Sequence, residues 1–156
     1  MRDILSTVES LLNEHEAIRG HMKQVRESVN NLESLPQHIL AAKDKRENLK
    51  QAIGYLEDGL RTHHQHEDAV MPQLVGELIM QAIRLEHSYQ LVMFKKISPA
   101  LNDNNIDHFL SQLVPLKTNI ENLCQATSLH SLREDGILHF LRKVPQQSPQ
   151  PPMKKS

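Results

Sequence analysis

Cysteine, glycine and aromatic residues are scarce in this chain, and each shortage excludes a class of structure. The single cysteine, Cys124, excludes an internal disulfide framework and a thiolate zinc site. Aromatic residues make up 3% of the sequence and Trp is absent, so Leu, Ile, Val and Met must build the core. No Asn-Gly or Asp-Gly pair is flanked by alternating apolar residues, so strand and hairpin signals are missing too.

The charge pattern excludes some kinds of partner. The formal net charge is −1, with no basic block for nucleic acid and no acidic tail. Acidic residues interrupt the apolar start of the chain, MRDILSTVESLLNEHE, which argues against a signal peptide or a membrane span. We therefore expect a cytoplasmic protein that binds neither nucleic acid nor membranes.

Prolines divide the chain into segments. Three of them separate four long stretches: Pro36, Pro72 and Pro99. Pro145 opens a segment rich in Pro, Gln and Ser, PQQSPQPPMKKS, which is typical of a disordered tail. The sequence thus predicts one domain over residues 1–144 and a disordered tail over 145–156.

Each stretch before the tail has the apolar spacing of a helix. In the first, apolar residues recur every three or four positions from Ile4 to Leu32, and similar stripes follow in the others. Pro115 lies off the fourth stripe, where we expect a kink or a helix start. The predicted fold is all-α, an antiparallel up-down four-helix bundle. Its helices are predicted at about 3–34, 39–75, 77–98 and 105–143.

Polar residues interrupt these apolar stripes at six positions: His15, His63, Glu67, His87, His130 and Glu134. Every helix supplies one histidine, and two helices add a glutamate four residues later, on the same face. At ~1.5 Å per residue, all six fall roughly 15–18 Å from one end of the bundle, in a single layer. A buried carboxylate is costly unless it is paired or binds a metal, and no stripe Arg or Lys is nearby.

These six residues predict a di-metal site in the core; the alternative is a set of core polar groups that satisfy one another. Glu67 and Glu134 can bridge two metals, which leaves two histidines for each metal and open positions for a ligand. Imidazole and carboxylate without sulfur suit iron, manganese or zinc. In a helical bundle such a site most often holds iron. The predicted cofactor is two iron ions, oxo- or hydroxo-bridged.

One polar stretch, HHQHEDAVMP at residues 63–72, contains both ligands and non-ligands. His63 and Glu67 are predicted to face inward. The other three polar side chains are expected to be solvated, with His66 close enough to the stripe to support a ligand: His64, His66 and Asp68. Val70 and Met71 are expected to cover the site with apolar surface.

Four motifs resemble the hemerythrin-like, HHE cation-binding family over roughly residues 3 to 143: NEHEAIR, HHQHEDAVMP, LEHSY and HSLREDGIL. The resemblance implies a helical bundle around a non-haem di-iron site. A set of four His and two Glu is similar to the iron-centre repair proteins of this family, which respond to nitrosative and oxidative stress.

The chain departs from the oxygen-carrying members of that family at one ligand position. Those proteins have two histidines spaced by four on the third helix, and the second position here is Leu91. They also place an Asp five residues after the last histidine, which corresponds to Asp135. The stripe passes through Glu134, so we favour Glu134 as the bridge, and Asp135 stays an alternative.

Three classes of function follow. The first is a binding protein whose partner is a small gas or peroxide, and which senses, stores or scavenges it. The second is a small di-iron enzyme, of the peroxidase, nitric oxide reductase or iron-sulfur repair type. The third is an interaction module whose metal is structural or lost.

Overall fold

A computed structural model describes residues 2–33 and 39–144, which form five helices and no strand. The helices are α1 (Arg2–Glu33), α2 (Ile39–Val75), α3 (Glu77–Leu101), α4 (Ile106–Ser111) and α5 (Leu113–Lys143). The all-α prediction is confirmed for these residues, and the predicted tail lies outside them. No helix in the described ranges is long and apolar enough to cross a membrane.

Two of the prolines lie inside helices rather than at their ends. α2 continues through Pro72 to Val75, and α3 continues through Pro99 to Leu101, beyond the end predicted at residue 98. The break between α2 and α3 falls at Gly76, whose φ of 82° lies in the left-handed region. Glycine adopts this conformation without a steric penalty, so Gly76 ends α2.

The single fourth helix predicted at 105–143 is wrong, because the chain forms α4 and α5 with a break at Gln112. Pro115 has no amide hydrogen and its ring clashes with the carbonyl four residues earlier in a continuous helix. It therefore lies in the first turn of α5, consistent with the predicted start near it. Asn105 caps α4, since its side-chain oxygen accepts hydrogen bonds from the amides of Asp107 and His108 at 3.0 and 3.1 Å.

The four long helices pack in a closed ring of neighbours. α1 contacts α2 and α5, and α3 contacts the same two helices. Ion pairs between α1 and α5 join Glu9 to Arg142 and Arg26 to Glu121, so these helices run in opposite directions. The pairs Asp68–Arg84 and His64–Gln90 show the same for α2 and α3.

The buried apolar residues form two separate clusters, one on each side of a polar layer. The smaller cluster contains six buried residues: Val8, Leu11, Met71, Met80, Ile83 and Leu138. The larger cluster contains the buried apolar residues beyond the layer, from Ile18 to Leu32 on α1 and from Ala42 to Leu60 on α2. On each long helix the predicted polar residues lie between these two clusters in sequence, so the layer is enclosed by apolar packing.

Candidate metal centre

The structure brings all six predicted residues into one buried group, which we call the inner cluster: His15, His63, Glu67, His87, His130 and Glu134. Each is at most 5% exposed. Their side chains form two sets of four, in each of which the ligand atoms lie within 4.8 Å of one another. Glu67 and Glu134 belong to both sets, and each set adds two histidines.

The imidazole rings of the inner cluster point the same nitrogen inward. The Nε2 atoms of His15 and His63 lie 3.0 Å apart, and those of His87 and His130 lie 3.2 Å apart. Glu67 lies between the two pairs, with one oxygen 2.9 Å from His63 Nε2 and the other 2.8 Å from His87 Nε2. Four imidazole nitrogens thus converge on two carboxylates.

The carboxylates at the centre are not satisfied by hydrogen bonds. Both side-chain oxygens of Glu67 and Oε1 of Glu134 are buried without a hydrogen-bond partner. In the described part of the chain, the ion pairs of these two glutamates are all with histidines. Buried carboxylates need a positive charge, and here neither Lys nor Arg supplies it.

Three further carboxylates hold the outward nitrogens of inner histidines, and we call them the outer carboxylates: Glu14, Glu86 and Asp135. Glu14 accepts from His63 Nδ1 at 2.7 Å, and Asp135 accepts from His15 Nδ1 at 2.6 Å. A carboxylate bonded to Nδ1 requires a proton there, which leaves Nε2 of a neutral ring with its lone pair pointing inward. This is the arrangement of a metal-binding histidine.

Each outer carboxylate also contacts a second basic group nearer the surface. Asp135 pairs with Arg19, and Glu86 pairs with Arg133. Glu14 binds His66 Nδ1 at 2.6 Å. Asp135 lies on the outer side of His15, bonded to its Nδ1, while Glu134 lies on the inner side, near its Nε2.

Stripe periodicity missed the outer carboxylates, although the sequence carries a signal for them. Glu14 precedes His15, Glu86 precedes His87, and Asp135 follows Glu134, so each adjoins an inner residue in the chain. Each then supports a histidine on a neighbouring helix rather than its own neighbour. An acidic residue next to a stripe ligand was therefore the available clue.

The pKa values of the inner cluster show how strongly it attracts positive charge. Burial lowers the pKa of His15, but its carboxylate neighbours, Glu134 and Glu67 foremost, outweigh burial and raise it to about 9. The pKa of His63 rises to about 10 for the same reasons. Burial raises the pKa of Glu67, yet the surrounding histidines hold it well below its usual range. In the metal-free protein these shifts favour a protonated imidazole beside Glu67.

His64 corrects one of the sequence predictions, since it is buried rather than solvated. It is 6% exposed, its ring stacks on that of His87 with centroids 3.7 Å apart, and its Nε2 donates to Gln90 Oε1 at 2.8 Å. Burial and the neighbouring His87 lower its pKa to about 3, so the ring is neutral. The buried face of α2 is wide because α1 and α3 pack on either side of it.

The other predictions for residues 63–72 agree with the structure in most respects. Asp68 is exposed and pairs with Arg84, while His66 is half-buried and supports the inner cluster through Glu14. Met71 is fully buried and Val70 is half-buried in the smaller apolar cluster, directly beyond Glu67 along α2. Apolar side chains therefore cover that side of the inner cluster.

A divalent or trivalent cation fits the inner cluster. The three carboxylate oxygens without partners and the inward lone pairs supply donors, and the facing Nε2 atoms repel one another unless a proton or a cation lies between them. Nitrogen and oxygen donors without sulfur suit iron, manganese or zinc.

Comparison with known proteins agrees with this reading for the first half of the chain. Residues 6–80 match the family model of the hemerythrin HHE cation binding domain. That range includes His15, His63 and Glu67, and it implies a cation-binding protein with a metal cofactor. The other three inner residues follow the matched range. No curated protein and no solved structure matches the chain.

Proposed function

We propose that this protein is a hemerythrin-like di-iron protein whose inner cluster binds two iron ions bridged by Glu67 and Glu134. Its open coordination positions take a small ligand, namely oxygen, nitric oxide or peroxide, and the chain senses or scavenges that ligand in a cytoplasmic stress response. The ligand set of four His and two Glu resembles that of the iron-centre repair proteins of the family.

One observation carries the proposal: two sets of four donors share both glutamates. Each set has two imidazoles and two carboxylates, which leaves a metal below its usual six-fold coordination. When bound, two iron ions supply reversible one-electron redox chemistry and open positions for a ligand. The family match over residues 6–80 supports a cation at this place.

The protein's own residues give this site its properties. The outer carboxylates fix the tautomer of three inner histidines, and the four long helices hold the donors in one layer of what we propose is an antiparallel up-down four-helix bundle. The smaller apolar cluster excludes water on one side, so a bound ligand is shielded from bulk solvent there.

Metal analysis of the purified full-length protein, with an absorption spectrum of the same sample, tests the proposal. We expect about two irons per chain and the near-ultraviolet absorption of a coupled diferric pair. The reduced, iron-loaded protein should then change its spectrum when oxygen or nitric oxide is added. Zinc alone, or no metal and a flat spectrum after anaerobic iron loading, would exclude the di-iron proposal.

A second candidate is a small di-iron enzyme that turns over peroxide or nitric oxide. Buried polar atoms without a partner lie near His87, namely Nδ1 of His64 and Nε2 of Gln90, and they favour the enzyme. A site that only stores an apolar gas has no need of them. Consumption of many equivalents of peroxide or nitric oxide per di-iron site supports the enzyme, whereas a single equivalent supports the binding protein.

A further inference from the structure

Three buried side chains next to the inner cluster have polar atoms without a partner. The atoms are Nδ1 of His64, Nε2 of Gln90 and Oγ1 of Thr127. The three residues are 6%, 1% and 0% exposed. We call them the polar recess. Buried polar atoms are almost always hydrogen-bonded, so three unpaired atoms beside one site indicate a missing partner.

The polar recess lies on one side of the inner cluster only. Gln90 follows His87 by one turn on α3, and Thr127 precedes His130 by one turn on α5. The larger apolar cluster contains Met93 further along α3 and Leu123 earlier on α5, so both residues lie toward that cluster. His64 reaches the same place from α2, stacked on His87 and bonded to Gln90. The other side of the inner cluster is covered by apolar residues.

Thr127 differs in its hydrogen bonding from two other hydroxyl residues, one on its own helix and one on α3. A threonine inside a helix commonly donates to the carbonyl four residues earlier. Thr118 does so on the same helix, with its hydroxyl 3.1 Å from the oxygen of Val114, and Ser88 does so on α3. Thr127 makes no such bond, although it is fully buried. Its hydroxyl is thus available to a ligand.

A groove on the outside of the protein leads to Gln90. It lies between α3 and α5, has a volume of about 370 Å³, and is lined by Glu86, Gln90, Ala126 and Leu129 among others. Gln90 therefore separates the groove from His64, with its amide bonded inward. Gln90 is therefore shared by the groove and the polar recess, and His64 of the recess stacks on His87 of the inner cluster.

We propose that His64, Gln90 and Thr127 form a hydrogen-bonding subsite for hydrogen peroxide beside His87 and His130. The inference rests on the proposed di-iron function and narrows its ligand class. Because His64 donates through Nε2 to Gln90, its Nδ1 is an acceptor, whereas the Gln90 amide nitrogen donates and the Thr127 hydroxyl does either. Hydrogen peroxide has two O–H donors and two acceptor oxygens. Dioxygen and nitric oxide have no donor and accept weakly.

The test compares Gln90→Leu and Thr127→Val with the wild type in the iron-loaded, full-length protein. The readouts are iron content and the concentrations of hydrogen peroxide and of nitric oxide that give half of the absorbance change. Loss of one hydrogen bond should raise the peroxide concentration about tenfold and leave the nitric oxide response unchanged. Thr127→Ser keeps the hydroxyl and should respond like the wild type. Gln81→Leu and Thr118→Val, on the exposed faces of the same helices, are the controls.

A second readout uses the metal-free protein. Thr127→Val removes an unpaired polar atom and breaks no hydrogen bond, so its thermal midpoint should equal or exceed that of the wild type. Gln90→Leu is not used in this readout, because it also removes the acceptor of His64 Nε2. A lower midpoint for Thr127→Val would mean that structural water holds its hydroxyl, and it would overturn the proposal.

The remaining outcomes separate this proposal from the function on which it rests. Variants that lose iron, respond normally to peroxide, or lose both responses equally would overturn the peroxide subsite. A wild type that holds iron but ignores peroxide would also overturn it, while leaving the metal site intact. A wild type that holds no iron would remove the proposed function itself.

Discussion

The Nε2 atoms of His15 and His63 face each other at 3.0 Å, while a carboxylate holds the Nδ1 atom of each ring. Two neutral rings held in this way would present lone pairs to one another. Without a metal, a proton between the two Nε2 atoms removes that repulsion, and the neighbouring carboxylates favour it by raising the pKa of both rings. A metal ion removes the repulsion by binding both lone pairs. The same geometry therefore suits a bound proton or a bound metal ion.

Protons and metal therefore compete for these two rings. The pKa values of His15 and His63 are about 9 and about 10, so below pH 9 the metal-free protein carries protons that a metal must displace. We expect the metal affinity to fall as the pH is lowered from 9 to 6, by about tenfold per unit for each proton displaced. Calorimetric titration in two buffers of different ionisation enthalpy measures the protons released. An affinity that stays constant from pH 6 to 9 would contradict this competition.

Metal removal should lower the thermal stability of the protein. A cation that binds only the folded state stabilises it by mass action, by about 2.7 kcal/mol at a free concentration 100-fold above Kd. All four long helices contribute donors to the inner cluster, so the whole fold should respond. The measurement is thermal unfolding followed by circular dichroism, with and without a chelator. Equal midpoints would show that these residues do not bind a metal in the folded protein.

Glu67→Gln should reduce bound iron to about half of the wild-type content or less. The substitution keeps the size of the side chain but removes a charge that both sets of donors share. Asp68→Asn is the matched control, because Asp68 is the next residue on α2, is exposed and pairs only with Arg84 among the described ion pairs. Iron per chain is measured by elemental analysis. Full iron content in Glu67→Gln would remove Glu67 from the ligand set.

Glu14→Gln should weaken metal binding by about 10–100-fold, the usual effect of losing a carboxylate that orients a metal-binding histidine. Glu14 accepts from both His63 and His66, at 2.7 and 2.6 Å. The control is Glu27→Gln, an exposed position on the same helix whose partner is Lys23. Competition with a chromogenic chelator gives the affinities. If both variants bind like the wild type, the hydrogen bonds of Glu14 have no part in holding the metal.

Two glycines should respond to alanine with opposite signs. Gly76 has a φ of 82°, where a Cβ costs about 1–2 kcal/mol, so Gly76→Ala should lower the free energy of unfolding by that amount. Gly20 lies in the interior of α1 with no atom near an added Cβ, so Gly20→Ala should raise it by about 0.5–1 kcal/mol. Chemical denaturation of the metal-free protein measures both. A stabilising Gly76→Ala would show that the turn does not need glycine.

The apolar stripe of each helix indicates which side chains point inward. The sequence was therefore enough to predict the inner cluster. Six polar interruptions at one depth were visible in the spacing alone. His64 was missed because it lies beside the stripe of α2 and faces α3, and a stripe does not reveal how far neighbouring helices extend the buried face. The predicted bounds missed the break at Gln112, because Pro115 predicted either a kink or a helix start and the bounds kept one helix over residues 105–143.

The apolar spacing within each helix also could not predict hydrogen bonds between helices. Whether Glu14 meets His63 depends on the rotation of α1 against α2, which the spacing within each helix does not fix. The polar recess could not be predicted for the same reason. Gln90 and Thr127 occupy positions typical of core residues, and only the packing of the helices shows that their polar atoms lack partners.

Each set of donors takes its two imidazoles from one helical hairpin and draws one of its carboxylates from the other. His15 and His63 come from α1 and α2 with Glu134 from α5, whereas His87 and His130 come from α3 and α5 with Glu67 from α2. A cation bound in this way is a reversible cross-link between two halves of the chain. Whether the two halves separate from each other then depends on the chelator concentration as well as on the denaturant concentration.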